Sequence, residues 1–233
     1  MHASRMFVIL VSAAASLMAG CGGGGSDAGG VTTPTTSFPL QAGFRARVAG
    51  GSTDNFTVSG TCTGTATFTN GAASASAFEG VSGFAATQTA TVNFTNCSPA
   101  TNAVSATGYY DASYTPLGSS TPGVEYAKFL TAPPPLPASV KVGDTAVYAT
   151  LTTYTDSTKS VTTGQRILSY VIEADTANTA VGNLITKGYN ASSQLLYTQQ
   201  ARYRIAADGT LTAVSVDIQY STTSTRHLVY TKS

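Results

Sequence analysis

Tryptophan is absent from all 233 residues, histidine occurs twice, cysteine three times, and charged side chains make up only 10% of the chain. Each shortage removes a class of function. Without tryptophan, the usual stacking platform for sugars is missing. Beyond the first twenty residues a single histidine, His227, remains to serve as a general base, and no Gly-x-Ser-x-Gly stretch accompanies it. The sparse charge is nearly balanced, so the basic stripe that nucleic acid needs is missing. Threonine, serine, glycine and alanine dominate instead. That composition suits a β protein with hydroxyl-rich outer faces rather than a disordered polyelectrolyte.

Long apolar runs are also missing, apart from one at the start. Arg5 supplies positive charge, Phe7 to Ala19 an apolar segment, and Ala19-Gly20 small residues before Cys21. These are the parts of a secretory signal. An apolar helix of about 14 residues spans ~21 Å, short of the ~30 Å hydrocarbon core of a bilayer. No Arg-Arg pair precedes it, so export as an unfolded chain is expected. The run Leu17-Met18-Ala19-Gly20-Cys21 resembles the lipobox of bacterial lipoproteins, with Met18 where that pattern usually has Leu. The resemblance implies cleavage before Cys21 and attachment of lipid to its thiol. It covers five residues and carries no catalytic group. Gly22 follows the cysteine where the family's inner-membrane retention signal has Asp, so the resemblance implies the outer membrane. Gly22 to Gly25, Ser26, Asp27, Gly29 and Gly30 read as a flexible tether. The chain as a whole resembles small outer-membrane lipoproteins of uncharacterised activity.

With Cys21 assigned to lipid, Cys62 and Cys97 remain in an oxidising compartment. An even pair there reads most simply as one disulfide. Closing the loop between them would stabilise the fold by ~3–4 kcal/mol in the chain-entropy account. The rival reading is a metal site, but two thiolates without a nearby histidine make a poor zinc cage. Neither a metal nor a cofactor is expected. Without Arg5 the basic and acidic residues balance at 11 each.

The expected fold class is all-β and antiparallel, with a sandwich-like N-terminal half and a curved meander sheet in the C-terminal half. The expected organisation is a signal peptide over 1–20, a tether over 21–37, a disulfide-linked β unit over 38–130 and a meander unit over 138–233. Whether the last two share one core is left open, since a β domain of about 200 residues is ordinary. Phe56 to Phe68 alternates apolar and Thr/Ser residues strictly, the mark of a half-buried strand. Gly60 and Gly64 mark a bend that could divide it in two. Further strands are expected at 72–79, 87–94 and 103–110. Tyr114 to Gly123 reads as a loop, and Val124 to Leu130 as a short strand or a helical turn. Pro133-Pro134-Pro135 marks a stiff connection. Six strands follow, over 146–154, 166–174, 180–189, 194–205, 210–220 and 226–231, with Asp208-Gly209 a strong hairpin signal. All twelve tyrosines lie at position 109 or later, which suggests strands bordering water.

Candidate chemistry is thin. Glu173 and Asp175 share one face of a strand end and are the least implausible carboxylate pair for glycoside hydrolysis. Asp54, Asp111, Asp144, Asp156 and Asp175 sit near turns, where aspartate caps backbone. A ligand surface formed by Tyr148, Tyr170, Tyr197 and Tyr203 is the binding candidate. The leading expectation is a lipid-anchored envelope protein, not an enzyme, that displays a β module for binding or scaffolding. Its partner would be another envelope protein, a glycan or a lipid, with the membrane reached through the N-terminal lipid and no nucleic acid involved. The alternative is a carrier of a hydrophobic ligand in a half-barrel groove. A carrier needs a contiguous apolar concavity; a scaffold presents a filled core and a polar outer face.

Overall fold

The computed structural model describes residues 36–221 and 226–233. The signal-like stretch, Cys21 and the tether through Thr35 lie outside the described residues. The described chain opens with one helix, α1 (Leu40–Gly50). Thirteen strands follow: β1 (Ser52–Gly60), β2 (Gly64–Asn70), β3 (Ser74–Phe78), β4 (Val81–Phe94), β5 (Thr101–Asp111), β6 (Pro116–Thr121), β7 (Glu125–Phe129), β8 (Thr145–Tyr154), β9 (Thr162–Thr176), β10 (Thr179–Asn190), β11 (Leu195–Ala206), β12 (Leu211–Tyr220) and β13 (His227–Lys232).

Every pairing is antiparallel. From β4 to β13 each strand pairs with the next in sequence, β13 returns to β1, β1 pairs with β2, and β2 closes the ring on β4. The seam where the chain's ends meet is β1 against β13, with Phe56 opposite Lys232 and Gly60 opposite Leu228. Twelve strands therefore form a closed barrel and β3 is extra. It pairs with Val81–Ala85 of β4, whereas β2 takes Gln88–Phe94 on the same edge. Closure leaves the ring no free edge, the outcome that protects long β-rich chains from edge-to-edge association.

The alternation read in the sequence sets which side of the wall each residue takes. In β1, Asp54, Phe56 and Val58 are buried while Thr53, Asn55 and Thr57 are exposed. In β4, Ala86, Gln88, Ala90 and Val92 are buried between exposed Thr87, Thr89, Thr91 and Asn93. The interior is packed with side chains from all round the ring. One cluster joins Phe56, Val58, Val92, Val216, Leu228 and Tyr230. Another joins Phe38, Leu136, Val140, Tyr148, Tyr170 and Ile205.

The all-β antiparallel class holds, but the finer division gives way. The sandwich-like half and the meander are arcs of one barrel, because β13 pairs with β1 and β8 pairs with β7. Gly60 and Gly64 do divide the first alternating run into a hairpin of β1 and β2. Tyr114 to Gly123, read as a loop, contains β6. Pro116 stands at its first position, where a missing N–H is tolerated, and Gly118 is bare because the Ala127 carbonyl oxygen and the Phe78 ring crowd the place where a side chain would start. Val124 to Leu130 resolves as the strand β7. The proline-rich connection forms no strand; it runs over one end of the barrel and buries Leu136 and Val140.

That same end carries α1, which the sequence reading did not identify as helical. Pro39 immediately precedes it, with φ of −78° suited to a helix start. Gly51, at φ 71°, stops it. Leu40, Gly43 and Val48 are buried beneath it, and Gly43 has to be glycine: an added Cβ would stand 2.0 Å from the Gly209 carbonyl oxygen. The helix thus seats on the β11–β12 turn. Phe38 bridges to Val140 just before it, so the chain entering the helix is fixed to the long connection. At the opposite end, Cys62 and Cys97 are joined in a disulfide, as expected from the cysteine count.

Candidate functional site

Two features stand out from the barrel frame, a slot under α1 and an uncharged outer wall. The slot consists of small cavities of about 40, 60 and 20 Å³ strung between the helix and the barrel interior. Arg47, Asn70, Gln88 and Tyr203 border both of the larger two. Phe44, Leu184, Tyr203 and Leu211 border both the second and the third. At ~10–15 Å³ per water the larger two could hold a few waters and the smallest about one, and none could hold a drug-sized ligand.

The polar groups in this slot come from strand positions on the apolar phase of the alternation. Gln88 projects inward from β4 between Ala86 and Ala90, and Gln199 from β11 between Tyr197 and Ala201. Gln199 is 2% exposed, and its Oε1 has no hydrogen-bond partner among the described residues. Asp54 projects inward from β1 and accepts from the Arg47 guanidinium of α1. It also accepts from Lys232 Nζ of β13 at 2.7 Å. Burial pushes the Asp54 carboxyl up, but the hydrogen bonds from Lys232 and Arg47 outweigh it and hold the pKa below the ordinary carboxylate value. Arg47 also lies 5.0 Å over the Tyr203 ring, and Phe44 meets Tyr110 edge-on at 6.1 Å. This triad ties helix, first strand and last strand together.

The four tyrosines selected from the sequence do not form an outer surface. Tyr148, Tyr170 and Tyr197 are buried, and Tyr203 is half-buried. Tyr148 and Tyr170 meet in the core under Leu136 and Val140. Tyr197 lies toward the other end beside the inward-facing Arg166–Glu125 pair. Only Tyr203 borders the slot, and burial pushes its hydroxyl up to about 12. The expectation of tyrosines bordering water is therefore corrected: Tyr110, Tyr148, Tyr170, Tyr197 and Tyr230 are buried among barrel side chains, and Tyr126 is buried against Phe78 of β3.

Most of the remaining titratable groups are accounted for. Glu173 pairs with Arg202 at 3.3 Å and Asp175 with Arg204 at 2.6 Å, on the outer wall rather than in a cleft. His227, half-exposed, meets Asp217 at 2.9 Å across neighbouring strands. Asp111, Asp144 and Asp156 cap turns by accepting backbone N–H groups, as their positions suggested. Asp54 and Asp175 instead hold cations. Among the described residues, no three histidine, cysteine, aspartate or glutamate side chains gather as a metal site would require.

The outer wall across β1, β2, β4 and β5 has a distinct chemistry. Cross-strand rows run Thr53–Thr69–Thr89–Ser105 and Asn55–Thr67–Thr91–Ala103. Hydroxyl and amide groups pair along them, Thr53 with Thr69 at 3.3 Å and Thr67 donating to Asn55 at 2.9 Å. No charged side chain faces outward from these rows, since Asp54 points into the barrel.

No family model matches the chain, and no curated protein and no solved structure matches it either. Its class is therefore defined by its own geometry, a closed twelve-stranded antiparallel barrel with a packed interior and a helix across one end.

Proposed function

We propose that the chain is a lipid-anchored protein of the bacterial envelope, held at the outer membrane through Cys21, whose barrel is a non-catalytic binding module. Its partner, another envelope protein or a glycan, meets the uncharged wall of β1, β2, β4 and β5. The observation that carries this reading is the combination of a packed interior with that wall. A transmembrane barrel carries its apolar residues outward and its polar ones inward; here Thr53, Thr57, Thr67, Thr89 and Thr91 are exposed while Phe56, Val58, Val92 and Val216 are buried. The engagement of Glu173, Asp175 and His227 in outer-wall ion pairs supports a role in binding rather than catalysis.

Two measurements test it. Labelled palmitate supplied to cells should enter the wild-type chain but not a Cys21→Ser variant, and that variant should leave the membrane fraction. Purified protein should co-sediment with isolated cell-wall or outer-membrane fragments, and Thr67→Lys combined with Thr91→Lys should abolish that while unfolding normally. Equal co-sedimentation of the double variant would remove the wall from the reading. A second reading, carriage of a hydrophobic ligand, is favoured by one observation, the slot under α1.

A further inference from the structure

We propose that the slot between α1 and the barrel interior is a binding site for a small uncharged amphiphile, with an apolar body and one N–H or O–H donor, and that α1 is the strap that lifts to admit it. The inference rests on the carrier reading and gives it a site, a ligand chemistry and a route of entry.

The ligand chemistry follows from the lining. Phe56, Phe68, Ala90, Val216 and Ile218 wall one side, and Leu184, Ile205 and Leu211 continue the apolar surface under the helix. At the rim Arg47 and Lys232 both engage Asp54, so a cationic ligand would find no free carboxylate there, and an anionic one would have to share two cations that already donate to Asp54. What the slot does offer is the Gln199 Oε1, buried and without a partner among the described residues. A buried acceptor left unpaired is a standing penalty, and a ligand that brings a donor relieves it. Tyr203 supplies an aromatic wall between the cavities.

The entry route follows from the helix. In the closed form, Leu40, Phe44, Arg47 and Val48 fill the space a ligand would need, leaving only water-sized gaps. The helix is 11 residues long, contains Gly43 and Gly50, has no side-chain cap at its start and no acidic residue in its first turn. A helix of that length is marginal without tertiary support. Its side-chain hydrogen bonds to the barrel are made by Arg47, to Asp54 and to the Leu211 carbonyl at 3.4 Å, and two backbone bonds add to them: the Gln41 N–H donates to the Pro137 carbonyl at 3.2 Å and the Ala73 N–H to the Val48 carbonyl at 3.1 Å. It is anchored at both ends, by the Phe38–Val140 bridge before it and by β1 after it, with Pro39 and Gly51 as the joints. That construction permits lifting without release.

The experiment uses the full chain carrying Cys21→Ser, so that no acyl group competes, with 1-aminoanthracene as the probe and 9-methylanthracene as its donor-free counterpart. Saturable fluorescence enhancement is expected, with the amine bound about tenfold more tightly, the worth of one buried hydrogen bond. Gln199→Met should erase that preference, and Arg47→Ala should speed association. No saturable binding of either probe overturns the inference and the carrier reading together. Equal affinity of wild type for both probes, or binding that Gln199→Met and Arg47→Ala leave unchanged, overturns the site and its strap while the carrier reading stands. The wild-type probe comparison remains decisive even if a variant fails to fold.

Discussion

At the residue scale, the most consequential side chain is Asp54. It accepts from Arg47 and Lys232 in a largely buried setting, with 10% of its side chain exposed. Asp54→Asn leaves two cations facing each other, and we expect a loss of roughly 2–4 kcal/mol, read as a lower urea midpoint. The comparison is Arg204→Ala on the outer wall, where the partner pair is half-exposed and the expected loss is below about 1 kcal/mol. Equal losses would mean that burial does not distinguish the two pairs. Glu79 provides a pH test. Hydrogen bonds from Lys128, then from Lys159 and Tyr126, lower its pKa from 4.5 to about 2. The folded form therefore holds the carboxylate more tightly than the unfolded chain does. Its contribution is full above pH 4.5 and disappears as the pH falls from there towards 2. Glu79→Gln should flatten the stability profile across that window and leave it unchanged in slope near neutrality.

At the scale of elements, α1 and the disulfide secure opposite ends of the barrel. Cys62–Cys97 links the β1–β2 turn to the β4–β5 turn, across a sequence separation of 35. Replacing both cysteines by alanine should cost about 2–4 kcal/mol, seen as a lower melting temperature with the same strand content by circular dichroism. At the other end, Gly43→Val cannot be accommodated without moving the helix, because the Gly209 carbonyl occupies the space. Faster hydrogen exchange over Leu40–Gly50, with the strands still protected, is the expected result. Uniformly faster exchange would make α1 an integral part of the barrel rather than a separable strap. The extra strand β3 straps the outer wall elsewhere: Phe78 stacks on Tyr109 at 4.5 Å, and Glu79 reaches Lys128 and Lys159.

At the scale of the whole molecule, the barrel depends on its last strand. Without β13, β1 and β12 would each present an unpaired edge in a wall otherwise closed. Truncation before His227 should therefore produce a chain that aggregates and does not unfold cooperatively, measurable by light scattering at low concentration. Retained cooperativity and solubility would show that the seam is dispensable. The topology also explains why interior polar groups matter here. A closed ring of this width cannot be filled by strand side chains from one arc, so α1, the proline-rich connection and residues such as Gln88, Gln199 and Arg166 share the filling.

The sequence by itself determined most of the strands and their faces, β6 and β7 excepted, and the disulfide. Period-two alternation is a local property, and the Thr/Ser phase of β1, β2 and β4 became the outer wall it implied. Asp208-Gly209 produced its hairpin because a turn needs only its own residues. The slot was partly legible too. Asp54, Gln88 and Gln199 each stand as a polar residue in the apolar phase of an alternating run, a local irregularity that marks an inward-facing polar side chain. What only the tertiary structure decided was closure, the position of α1 and the fate of the tyrosines. Pairing β1 with β13 joins residues at the two ends of the chain, and no local pattern encodes which edge meets which. The helix has a weak intrinsic signal and exists because the barrel's open end gives Leu40 and Val48 something to bury against. The tyrosine rings suit either side of a wall; ring closure created an interior large enough to need them.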